Sequence, residues 1–327
     1  MRNFLSISRS QQGAALLIMM LLLFLVSMAV LLKGLGRKNI QLHQEIATSQ
    51  ALAQAKDALI AHAVTYADNY PPTGGAGPGH LMCPDTDLPA FDVNGLPLPP
   101  YGSPNAPCGP NAIGRLPHSV TLGLGNLYPL SDSGSGIDQQ FWYAVSNVCI
   151  ANPNGGVNNT FNSTTPGSLT LDGQGDVVAV VIAPGPPLTG QNRPSVNAAD
   201  YLEAGNASGP NFVSSYPANP NNFNDTVLSI RRSELMSPVT ARVAEELKKY
   251  IDAYHVANSA YPPDQVTFAG AFAGAPPWLT ANNWLAATTT TYTRISINSA
   301  TLVFNGCGIT YTLTFGTATL GRSQPHC

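Results

Sequence analysis

Charge is what this 327-residue chain has least of: 15 Lys and Arg and 18 Asp and Glu make up only 10% of it. Soluble domains average about 25%. Positive charge is especially thin, and the formal net charge is −3. That excludes a nucleic-acid binder of the usual kind, which needs a basic stripe to displace the counterions of the phosphate backbone. Catalytic signatures are missing too. There is no H-E-x-x-H, no G-x-S-x-G and no P-loop. GAGPGH at 75–80 follows a helical stretch and carries Pro where a strand-to-helix phosphate turn would have to form, so it is not a nucleotide loop. The six His are scattered, and the reading is of a protein that is not an enzyme. Apolar residues are not lacking: at 44% they exclude a disordered chain, which could not offset its ordering entropy. With 30 Gly and 28 Pro, the two are roughly half as frequent again as in an average chain, which makes this one rich in turns.

The first forty residues hold the longest uncharged run. Arg2 and Arg9 precede Ala14–Leu32, which has no ionisable residue; Lys33, Arg37 and Lys38 follow. As a helix this stretch would rise about 28 Å, near the thickness of a bilayer's hydrocarbon. A cleaved secretory signal should have a shorter core, of about 7–15 residues, ending in small residues. Here the run exits into Leu31-Leu32-Lys33. Basic residues on both flanks leave the orientation open.

Arg9-Ser10-Gln11-Gln12-Gly13-Ala14-Ala15-Leu16-Leu17-Ile18 resembles the prepilin signal of type IV pilins and type II secretion pseudopilins. The resemblance implies a leader at 1–13, cut between Gly13 and Ala14 by a prepilin peptidase that then methylates the new amino group. It implies a transmembrane helix at 14–32, a periplasmic continuation at 33–70 and a head at 71–327. Partners would be the peptidase, other pilins or pseudopilins through the helix, and the bacterial inner membrane, with the head in the periplasm or, within a pilus, at the cell surface. Most of the family carries Glu at the fifth mature position, to neutralise a neighbour's amino terminus. Here that position is Ile18, and no acid occurs before Glu45. A buried unpaired ammonium is costly, so the substitution implies a minor subunit at or near the filament tip. A membrane-anchored adhesin whose head binds a ligand is the alternative.

From Asn39 to Asp68 there is neither Pro nor Gly, and Leu42, Ile46, Ser49, Leu52, Leu59, Ala63 and Ala67 recur at helical spacing. Tyr70-Pro71-Pro72 ends the pattern. Joined to the apolar run, this predicts a spine about 80 Å long. Beyond it, 71–135 reads as loops, and 136–260 as mixed strands and a helix. Strands are expected at Phe141–Ile150, Asp176–Ala183 and Val227–Arg231, and a helix opening at Ser237-Pro238 and running to about Ala257. Within 290–327, Tyr292–Phe315 reads as strand-turn-strand around Asn305-Gly306. The expected fold class is α+β: a long N-terminal transmembrane helix spine packed on a mainly antiparallel sheet, with loop-rich insertions, as in pilins.

There are five cysteines, so at least one stays unpaired, and spacing alone does not fix the connectivity. Many type IV pilins close a carboxy-terminal loop by a disulfide, and Cys307–Cys327 would match that pattern. Cys83–Cys108 could staple the loop-rich region, and Cys149 reads as a buried thiol. His80 and Cys83 lack a second ligand pair at zinc spacing. Asp85 and Asp87, extended by Asp92 and Asn94, offer the oxygen ligands of a calcium loop, against which an Asx-turn stands. Asp172-Gly173-Gln174-Gly175-Asp176 reads as a turn, and Trp142, Tyr143, Trp278 and Trp284 as core aromatics in preference to a surface-binding patch.

Overall fold

The computed structural model describes residues 11–69, 75–87, 103–105, 108–109, 112–117, 140–150, 160–323 and 327, without the side chains of 11–16 and 29–41. The chain divides into two compact units, Met1–Ser49 and Gln50–Cys327. Helix α1, Gln11–Val64, begins in the first and ends in the second.

The first unit corrects the expected fold class and location. Among the described residues no helix is long and apolar enough to cross a membrane, so the transmembrane spine, and with it the single-pass inner-membrane anchor, is not what the structure shows. Among the residues with described side chains the apolar stretch of α1 is Leu17–Met28, which rises about 18 Å, short of the about 30 Å of bilayer hydrocarbon. The next described segment is polar at His43, Gln44 and Glu45.

The second unit is built on two sheets. Its share of α1 buries Leu52, Ala55, Leu59 and Ala63, the three-and-four spacing of one helical face. A one-turn helix α2 (Tyr66–Asn69) follows. The first sheet has β1 (Ile113–Arg115), β2 (Trp142–Val145), β4 (Gln174–Ala183), β3 (Leu169–Leu171) and β5 (Asn211–Phe212) in that order, with β6 (Thr226–Arg231) also paired to β4. All pairings are antiparallel except β3 with β5. The strand β4 is its axis: Val177 and Ala179–Ile182 are fully buried, and their side chains alternate between two separate apolar clusters. That is why DVVAVVIA lacks polar alternation, since both faces of the strand are covered.

The first cluster holds Ala179 and Val181 with α1 and helix α3, Arg232–Asn258. The helix opens earlier than Ser237-Pro238 because the Arg231 amide donates to Glu234 Oε2 at 2.8 Å, one half of a capping box. Pro238 thus lies inside the helix. An interior Pro costs about 3 kcal/mol. Full burial of Leu235, Val239, Val243, Leu247 and Ile251 outweighs it, at roughly 1.5–3 kcal/mol each. At the start of α3, Lys56 of α1 pairs with Glu234 and donates to the Ser229 carbonyl of β6 at 3.0 Å.

The second sheet is a four-stranded antiparallel meander, β7 (Thr290–Ser296), β8 (Ser299–Phe304), β9 (Ile309–Thr314) and β10 (Gly321–Ser323). The single expected arm before Asn305 is two strands. A tight turn at Ile297-Asn298 separates them, a register shift falls between Arg294 and Ser296, and Ile295 and Ile297 are exposed. Leu302 and Phe304 of β8 are fully buried. The Asn305–Gly308 turn joins β8 to β9, with Gly306 and Gly308 at positive φ. Two further expectations need adjustment, and one stretch carries none. The strand at Phe141–Ile150 stops at Val145, since Ser146 turns its hydroxyl to Ser168 and a 3-10 turn occupies Asn147–Cys149. A short strand, β1, lies in the region read as loops. Two short helices, α4 (Gln265–Gly270) and α5 (Pro277–Ala281), precede the meander.

Candidate functional site

The helix α1 carries the most conspicuous surface. Of the twelve residues Leu17–Met28, all but Ser27 are large hydrophobics, and each of these eleven is 49–71% exposed. A helix apolar all round has no face suited to water, and an exposed apolar patch of this extent marks an interaction surface. Ser27 is the one polar side chain, and its hydroxyl donates to the Phe24 carbonyl at 2.9 Å, so it adds no demand for solvent. Ile18 itself is 60% exposed. Gly13 and Ala14 lie within α1 but their surroundings fall outside the described residues, as does the leader up to Ser10.

The cysteines divide into two bonds and a free thiol. Cys83 is bonded to Cys108, and Cys307 to Cys327. Cys149 is free and buried, and desolvation pushes its thiol up to about 12. It is therefore an inert core group. With Cys83 in a disulfide there is no thiolate for zinc. His80 is fully buried instead against the Phe161 ring, 5.7 Å away, with its Nδ1 at the Gly77 backbone.

Asp85 and Asp87 are brought together as a turn. Asp85 Oδ1 accepts from the Asp87 amide at 2.9 Å, and Asp87 Oδ2 accepts from Asn105 Nδ2 at 2.9 Å. Asp92 and Asn94 lie outside the described residues. Among the described residues no group of three or more His, Cys, Asp or Glu is placed to hold a metal. The four singled-out aromatics are all core: Tyr143, Trp278 and Trp284 in the first cluster, Trp142 in the second. Asp172 and Asp176 do more than turn the chain. Asp172 accepts from the Ser214 amide and hydroxyl, and Asp176 forms a two-pronged pair with Arg232 Nε.

The reading of residues alone missed 184–225. This stretch covers the far face of the first sheet through Ala198, Tyr201, Leu202 and Phe212. Arg115, buried on β1, stacks on Trp142 at 5.0 Å and Tyr201 at 5.3 Å, while Arg193 lies over the Tyr201 ring at 4.6 Å. Beyond Tyr201, Glu203 and Asp225 are buried together. Desolvation raises Asp225 to about 7. Its bonds from Asn206 and the Glu203 amide oppose the rise, and the Glu203 carboxylate adds to it. The scattered carboxylates gave no spacing from which this could be found, because 22 residues separate the pair.

Comparison with protein family models, curated proteins and solved structures finds no match to this chain.

Proposed function

We propose that this chain is a structural subunit of a filament of the type IV pilus or type II secretion pseudopilus kind, a minor pilin or pseudopilin cut by prepilin peptidase between Gly13 and Ala14. One observation carries the proposal: the solvent-facing stretch Leu17–Met28 of α1, apolar but for Ser27, a few residues behind the Gly13-Ala14 junction. Such a stretch is stable in water only when covered, and fully covering a Leu, Met or Phe side chain contributes roughly 1.5–3 kcal/mol. A bundle of the same helix from neighbouring subunits covers it on all sides, as a single groove cannot. Ile18, standing where an acid would pair with a neighbour's amino terminus, favours a place at or near the tip, where no subunit lies ahead. The role in this reading is structural, carried by the helix surface.

The test is co-expression of the full chain with a prepilin peptidase, followed by intact-mass measurement. The expected product lacks residues 1–13 and carries one added methyl group, and Gly13→Ala blocks the cut. An unshortened product from the unaltered chain refutes the proposal.

A further inference from the structure

Glu203 and Asp225 present a charge problem that the protein alone does not solve. Relative exposure is 9% for Glu203 and 6% for Asp225. Neither forms an ion pair among the described residues. Two adjoining buried carboxylates repel, and removing each from water costs several kcal/mol unless it is paired. Their hydrogen bonds answer only part of this. Asp225 Oδ2 accepts from the Glu203 amide at 3.0 Å and Asn206 Nδ2 at 2.9 Å. Glu203 accepts from Gln191 Nε2 at 2.8 Å and from the Asn224 amide at 3.1 Å. Arg193 reaches Glu203 through the Gln191 amide, whose Oε1 accepts from the guanidinium at 2.7 Å.

Two oxygens are left over. Asp225 Oδ1 and Asn224 Oδ1 are buried with no hydrogen-bond donor. Neither is a matter of a side chain left loose: Asn224 Nδ2 donates to the Pro186 carbonyl at 2.7 Å, which fixes the amide. The backbone also leaves room here. A Cβ on Gly185 would fall 2.4 Å from Asn224 Oδ1, so only glycine at 185 lets that oxygen keep its place.

We propose that Glu203, Asp225 and the side-chain oxygen of Asn224 bind a hard divalent cation of the calcium type. All the donors are oxygens, with no thiol or imidazole among them, which selects against zinc and copper. They sit on irregular chain beside short 3-10 turns, and calcium accepts such irregular oxygen sets, whereas magnesium demands a near-ideal octahedron. A cation neutralises both carboxylates and gives the two leftover oxygens a partner in one step. A single proton shared between Glu203 and Asp225 is the competing solution, but it leaves one negative charge buried and does nothing for Asn224 Oδ1. Bound there, the ion would fasten Glu203 to the start of β6, since Asp225 directly precedes Thr226.

The test is thermal unfolding of the full chain, stripped with a chelator and titrated with calcium chloride or magnesium chloride to about 10 mM, above the range of the weakest calcium modules. Calcium is expected to raise Tm by roughly 5 °C at saturation and magnesium by much less. Asp225→Asn abolishes the response. Asn224→Ala, which removes a half-buried side chain and keeps both carboxylates, weakens apparent calcium affinity about tenfold and remains informative if the first variant does not fold. Three results overturn the proposal. The first is no response of the unaltered chain to calcium, with Tm instead rising as pH falls from 8 toward 5, which marks a shared proton. The second is an equal response in the unaltered chain and Asn224→Ala, which places the ion elsewhere, the Asp85–Asp87 turn included. The third is an equal response to magnesium and calcium, which marks nonspecific screening.

Discussion

Asn282 joins three parts of the second unit that are far apart in the chain, and its removal should be among the most damaging polar substitutions. The side chain is 1% exposed. Its Oδ1 accepts from the Phe161 amide at 2.9 Å, and its Nδ2 donates to the Gly75 and Trp278 carbonyls, both at 2.9 Å. Asn282→Ala leaves the Phe161 amide and the Gly75 carbonyl without these partners. The Trp278 carbonyl is still served, because the Asn282 backbone amide also donates to it at 3.1 Å. A buried polar group left unsatisfied costs about 1–3 kcal/mol, so two give about 2–6 kcal/mol before any cavity is counted. Asn282→Asp keeps the acceptor for Phe161 but loses both donated bonds and buries a charge, so it should be no better than alanine. Urea unfolding of the oxidised chain measures the loss as a lower midpoint at unchanged slope. Amide exchange at Phe161 should accelerate in the alanine variant more than exchange within the meander. A destabilisation below about 1 kcal/mol for Asn282→Ala would refute the reasoning, since it would mean that water or relaxation replaces both bonds.

Two further outcomes are expected. Leu59→Ala, at a fully buried position of α1, should cost about 2–5 kcal/mol, whereas Leu42→Ala, at 54% exposure, should stay within about 0.5 kcal/mol. Equal effects in denaturant titrations would contradict the described burial. His62, on the buried side of α1 beside Tyr66, is held by desolvation at about 4, against an ordinary 6.5. A His kept neutral contributes stability that is complete above 6.5 and is lost as pH falls toward 4, because the unfolded chain takes up the proton first. His62→Leu should therefore lessen the acid-induced loss by on the order of 3 kcal/mol between those limits, read from unfolding at a series of pH values; an unaltered pH profile would exclude His62 as its source.

Much of the second unit could be read from residue patterns because its strongest elements obey one local rule each. The run DVVAVVIA signalled a strand covered on both faces, and β4 is one, alternating between two clusters. The turn at Asn305-Gly306 needs positive φ, and the chain supplies it there. Where two rules competed, the nearer one misled. Ser237-Pro238 has the chemistry of a helix start, yet Glu234 caps the amide of Arg231 and packing carries the helix through the Pro. Ile295 and Ile297 extend an apolar alternation into β8 on paper, but Ile295 lies at the register shift and Ile297 in the turn, and both face solvent. The apolar run at 14–32 has the residue count of a membrane span, yet among the described residues no helix is long and apolar enough to cross one. The 184–225 stretch was illegible for a different reason. Its order comes from side chains meeting across long separations, such as Arg115 with Ser195 and Glu203 with Asp225, and no local spacing encodes those.

The bond between Cys307 and Cys327 has a consequence for how copies of this protein behave at high concentration. It closes a covalent ring that contains all of β9 and β10. The outermost strand of the meander is β10, three exposed residues paired on one side only. Open edges of this kind are where chains exchange strands or add to one another in runaway stacks. Because the ring ties the strand back to the turn before β9, β10 cannot swing out and lodge in another copy while the bond stands. Chains made under reducing conditions lose that tether and gain a route to swapped and aggregated forms, so the oxidised state guards the solitary chain before it meets any proper partner.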